Sequence, residues 1–149
     1  MVMGKARWSI IVVAVLLSLG ATIVKAGDCS VASVKGSFGF VEQGTALQPT
    51  PRLYANSGIV TLDGTGLLLG KFTLNVGGVS ASGTLTGTYT VDPDCTYSLQ
   101  FTTSLGAVLH QVGTFTGEGI FQEAHYIYTD NLVVTGTAKK ISSAKGNDR

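Results

Sequence analysis

The chain has 149 residues, 44% of them hydrophobic and only 13% charged, with 20 glycines and a formal net charge of +1. Charge stands near half the usual share of about 25% and glycine well above its usual ~7%, which excludes a disordered chain and, without a clustered excess of Lys and Arg, a nucleic-acid binder built on phosphate neutralisation. Scarce Glu, Lys and Arg argue against a coiled coil or helical bundle, and the length suits one domain of roughly 100–200 residues.

The first segment reads as an export signal rather than as part of the fold. Lys5 and Arg7 form a short basic region, and an apolar run from Trp8 to Gly20 follows. Val24-Lys25-Ala26 then sets small residues at the −3 and −1 positions of a cleavage site after Ala26. Ser18, Gly20, Thr22 and Lys25 interrupt the run too early for a membrane anchor, which wants about 20 apolar residues. Asp28 directly before Cys29 is also unlike a lipidation site. Losing residues 1–26 leaves seven basic against nine acidic residues, a mature net charge of −2. The expected organisation is therefore a signal peptide over 1–26, one domain over 27–140 and a solubilising tail over 141–149. The expected location is secreted or periplasmic. No nucleic-acid partner is expected, nor a membrane once the signal is removed.

Both cysteines, Cys29 and Cys95, fall in the mature chain. In an oxidising compartment two cysteines have one connectivity, and neither a Cys-x-x-Cys nor a nearby His suggests redox or metal chemistry. A Cys29–Cys95 disulfide is expected to tie the mature N-terminus to a mid-chain turn.

From Lys35 onward, Gly, Thr, Val, Tyr and Phe alternate with period two between turn residues, so the chain reads as strands. The expected strands are 35–43, 54–62, 67–76, 79–91, 97–103, 107–115, 119–129 and 132–139. Leu85, Gly87, Tyr89 and Val91 share one face, as do Tyr97, Leu99 and Phe101, across an Asp92-Pro93-Asp94 turn. Bringing both apolar faces to one side demands an odd-length loop. Gln48-Pro-Thr-Pro-Arg52 is the one evident irregular connection. Asp63 beside Gly64 reads as a turn residue, and Gly64-Thr-Gly66 and Gly77-Gly78 as hairpin turns rather than nucleotide cradles. Eight strands with short links, no amphipathic helix and glycines inside strands (Gly39, Gly70, Gly83, Gly87, Gly113, Gly136) fit a tightly curved, all-β, eight-stranded antiparallel up-and-down barrel. The alternative is a two-sheet β-sandwich.

Residues that carry chemistry are few. There is no nucleophilic triad pattern, HExxH or phosphate loop, and hence no catalytic residue, metal site or cofactor is assigned. A two-residue turn at Gly117-Glu118 would set His110 opposite His125 and Val112 opposite Glu123, making a cross-strand polar cluster of His110, Glu123 and His125. Tyr89, Tyr97, Phe101, Tyr126 and Tyr128 are candidates to line a cavity for a small apolar ligand. Glu42 ends an apolar run and is a candidate to point inward.

The segments Cys29-Ser-Val-Ala-Ser-Val-Lys-Gly-Ser-Phe-Gly-Phe40 and Gly87-Thr-Tyr-Thr-Val-Asp-Pro-Asp-Cys95 resemble those of a group of small exported bacterial proteins. Members carry Cys-Ser-x-x-Ser-x-Lys-Gly-Ser-Tyr-Gly-Phe and Gly-Thr-Tyr-Thr-Val-x-x-Asp-Cys, and the resemblance runs on to Gly136-Thr-Ala-Lys139. It implies an exported barrel with the two cysteines paired and brings no activity with it. More distantly the pattern resembles avidin, lipocalin and allene oxide cyclase barrels. The only tryptophan is Trp8, and Gly36-Ser37-Phe38 stands where a lipocalin carries Gly-x-Trp, so an avidin-like biotin pocket is not implied. Three functions follow as expectations. The first is a non-catalytic barrel that binds a small apolar molecule or a partner protein. The second is an allene oxide cyclase-like enzyme acting on a hydrophobic substrate, with an inward polar cluster of Glu42 or Glu123 and a tyrosine. The third is an envelope structural or adhesive protein.

Overall fold

The computed structural model describes residues 29–117 and 122–141. Eight strands follow in chain order: β1 (Gly36–Ala46), β2 (Arg52–Leu62), β3 (Leu67–Val76), β4 (Val79–Val91), β5 (Thr96–Thr103), β6 (Val108–Thr116), β7 (Glu123–Tyr128) and β8 (Leu132–Lys140). Each is antiparallel to the next and β8 returns to β1, so the sheet closes into an up-and-down barrel and not a sandwich. Among the described residues closure leaves no strand edge open to pairing with another chain. The expected signal at 1–26, the tail beyond Ile141 and the first residues of the expected 119–129 strand lie outside the described residues.

Period-two alternation decides what points inward. In β1 the inner residues are Phe38, Phe40, Glu42 and Ala46, and in β4 and β5 they include Leu85, Tyr89, Tyr97 and Phe101. Thr86, Thr88 and Thr90 take the outer face. The last β4–β5 pair is Val91↔Tyr97, so the connecting loop is odd-numbered, as the apolar faces required. At β3–β4 the turn is Gly77-Gly78, with φ of 59° and 91°. Two successive left-handed positions in a two-residue hairpin are open to glycine at little steric cost. Asp63 caps the β2–β3 turn by accepting from the Thr65 and Leu67 N–H groups at 2.7 and 3.0 Å.

The two ends of the barrel differ. At the end where β1 begins, residues 29–35 fold across the opening. Val34 is fully buried there and Val31 packs against the core. The Cys29–Cys95 disulfide ties this segment to the β4–β5 turn. The Tyr89 hydroxyl accepts from Gly64 N–H at 3.0 Å and donates to the Val31 carbonyl at 3.2 Å. Aromatic packing fills the barrel just inside this plug, with the Phe115 ring tilted against Tyr97 at 4.7 Å and against Phe38 at 6.0 Å between centroids. Towards the other end the inward-facing Leu74, Val76, Leu99, Leu109 and Leu132 are only partly buried. That partial exposure has a simple cause: the barrel is hollow there.

Candidate functional site

The hollow is a cavity of about 310 Å³. Its walls include Phe40, Phe72, Leu99, Phe101 and Leu109, and Ala46, Leu105, Ala107 and Leu132 lie towards its mouth. Among the described residues that line it one carboxylate, Glu42, is present and no Lys, Arg or His. An isolated carboxylate in such a place costs several kcal/mol in lost hydration. The fold offsets that cost with hydrogen-bond donors.

Glu42 is 5% exposed and is met by five donors from three other strands. Its Oε1 accepts from the Tyr128 hydroxyl at 2.8 Å, the Tyr126 hydroxyl at 2.9 Å and Gln111 Nε2 at 3.2 Å. Its Oε2 accepts from Asn56 Nδ2 at 2.9 Å and the Tyr54 hydroxyl at 3.2 Å. Bonds to a charged acceptor are about twice as strong as neutral ones. The register explains how so many groups converge. Glu42 pairs with Asn56 on β2 and with Gly136 on β8, and Gly136 in turn pairs with Tyr126 on β7. Gly136 is what lets Tyr126 through, because a Cβ there would overlap the tyrosine ring and hydroxyl. Gly113, on the other side of Tyr126, leaves similar room for Tyr126 and Tyr97. Gln111 is set opposite Tyr128 by the β6–β7 pairing.

The electrostatics of the phenols follow from this setting. Burial first, and the Glu42 charge second, push Tyr54, Tyr97, Tyr126 and Tyr128 well above the ordinary tyrosine range. These four groups therefore keep their protons at physiological pH, and three of those protons point at Glu42. Asn56 uses its amide nitrogen twice, on Glu42 and on the Tyr54 oxygen at 3.1 Å. Its Oδ1 is buried without a hydrogen-bond partner.

Four of the five aromatic candidates, Tyr97, Phe101, Tyr126 and Tyr128, line the cavity. Tyr89 does not; it lies under the N-terminal plug. The expected His110–Glu123–His125 cluster is split. The β6–β7 register pairs Gln111 with Tyr128 and Thr114 with His125, four positions away from the register of a two-residue turn. His110 instead binds Asp130, with Nδ1 at 3.0 Å from Oδ1, while Glu123 lies 3.6 Å from His125 and 3.8 Å from Lys139. Both histidines are about half exposed on the outer wall. Tyr54, Asn56 and Gln111 are members of the cluster that the sequence did not single out. Period-two spacing from Phe38 through Phe40 to Glu42 was the available signal for Glu42, but its partners depend on registers across three other strands.

Comparison with protein-family models, curated proteins and solved structures gave no match to this chain. The functional reading therefore rests on the barrel's own chemistry.

Proposed function

We propose that this is an exported, non-catalytic barrel that binds a small, largely apolar molecule in its interior, with the Glu42 cluster as polar anchor. The observation that carries the reading is the hollow itself. A structural barrel fills its core, whereas here inward leucines border a cavity of about 310 Å³, at the lower end of the range typical of ligand pockets. Export is supported by the signal-like N-terminus and by the disulfide, which persists in oxidising compartments. The interior is mainly apolar, unlike the polar lumen of a membrane barrel, while the outer face mixes Thr and Ser with exposed Val41, Leu53, Leu69 and Val133. Purified protein incubated with a lipid extract, re-isolated and analysed by mass spectrometry should retain a discrete apolar compound. A Leu99→Trp variant, whose indole fills the hollow, should retain none. Equal retention by both would refute interior binding.

The enzyme reading has one observation in its favour: a carboxylate with three phenols inside an apolar pocket, as an allene oxide cyclase-like barrel would need. Against it, the carboxylate already accepts five hydrogen bonds, and a general base needs a lone pair aimed at the substrate. Glu42 is better suited to orienting the phenols than to taking a proton.

A further inference from the structure

The polar end of the cavity has a direction. The hydroxyls of Tyr54, Tyr126 and Tyr128 all donate to Glu42, so their phenol oxygens offer a ligand lone pairs only. Asn56 has both amide hydrogens engaged and its oxygen unpartnered. Reversing that amide would set its oxygen against a carboxylate, so the network fixes its orientation. Within the cluster, Gln111 alone keeps an N–H not given to Glu42 or to a phenol. The cluster is thus almost purely an acceptor surface. A carboxyl that accepts five hydrogen bonds and donates none is also its anionic point, and no basic side chain stands among the described residues that line the cavity. The walls beside it are aromatic: Phe40, Tyr97 and Phe101.

A ligand carboxylate or carbonyl would meet lone pairs and a like charge. A hydroxyl would satisfy the lone pairs but leave the charge unanswered. A cation bearing N–H groups answers both and gains from neighbouring ring faces. We infer that the barrel selects an apolar molecule ending in a protonated amine, its ammonium seated against the Tyr126 and Tyr128 oxygens beside Glu42. This rests on the binding reading above and narrows it to a ligand class.

The test is calorimetric titration of the signal-free, disulfide-bonded protein with three probes of matched chain: decylamine, decanol and decanoate. Decylamine should bind at least about tenfold more tightly than decanol, a difference of ~1.4 kcal/mol, and decanoate most weakly. In a Gln111→Lys variant the new ammonium neutralises Glu42, and the preference for decylamine over decanol should vanish or reverse. A Tyr128→Phe variant, which keeps the charge and removes one acceptor oxygen, should lose part of the preference and keep decanol binding. Decanoate binding as tightly as decylamine to the unmodified protein would overturn the inference while leaving interior binding intact. Binding of none of the three would overturn both.

Discussion

Tyr126 and Glu42 meet across an intervening strand: the phenol passes over Gly136 and donates to the carboxylate at 2.9 Å. A glycine that looks like a weak point in β8 is the space through which the buried carboxylate is reached. Gly136→Ala should therefore destabilise the barrel by about 2–4 kcal/mol, more than the ~1 kcal/mol typical of point substitutions. A double-mutant cycle with Tyr126→Leu should show strong non-additivity, because the smaller side chain removes the clash. Additive effects in urea unfolding would show that the ring does not depend on Gly136.

Replacing Glu42 leaves five donors facing one another without their acceptor. Glu42→Ala should cost about 3–5 kcal/mol, the scale seen when one member of a buried charged network is removed. Tyr128→Phe removes a single donor and should cost about 1–2 kcal/mol. Chemical denaturation of the two variants checks the order.

Buried phenols also predict the alkaline limit of the fold. Their folded pKa values lie above the ordinary value of about 10. Above that pH the unfolded chain releases protons that the folded barrel holds, so stability falls as pH rises, by up to ~1.4 kcal/mol per pH unit for each phenol. With four such groups the barrel should unfold cooperatively within about two pH units above 10. Tyrosinate absorbance should appear together with loss of the β-sheet circular dichroism signal. Gradual ionisation in an intact barrel would contradict the described burial.

The plug is expected to depend on its covalent tie. Cys29 and Cys95 are 66 residues apart in sequence, for which chain-entropy arguments give a stabilisation of about 4 kcal/mol. A Cys29→Ser, Cys95→Ser variant should lose a stabilisation of that order in thermal and urea unfolding. Its Tyr89 fluorescence should also change as Val31 and Val34 leave the barrel end.

His110 and His125 sit on the outer wall, each about half exposed with a carboxylate neighbour. Alanine at either position should change stability by less than about 0.5 kcal/mol and leave probe binding in the cavity unchanged. A large loss of binding in either variant would return the histidines to the functional site.

Much of the fold was legible because its signals are local. The alternation from Leu85 to Phe101 fixes an inner face, and the Asp92-Pro93-Asp94 and Gly77-Gly78 turns mark strand ends by residue type alone. The candidate site was only half legible. Glu42, Tyr126 and Tyr128 stood out one at a time, the first by ending an apolar run and the tyrosines by aromatic character. Their meeting, and the part taken by Tyr54, Asn56 and Gln111, follow from pairings between distant strands that no local pattern encodes. The histidines show the same limit from the other side. Their expected contact hung on one loop length, and the β6–β7 connection is longer than two residues.

The central claim, that the hollow beyond the Glu42 cluster is a binding site, is tested most directly by titrating the protein with decylamine while following tyrosine fluorescence. Trp8 lies in the expected signal, so the tyrosines report without interference from an indole once that signal is removed. Saturable quenching at one site per barrel, abolished when Leu99→Phe and Leu109→Phe together fill the hollow, is the predicted result. Unsaturable quenching, or quenching of equal size in the filled variant, would contradict it.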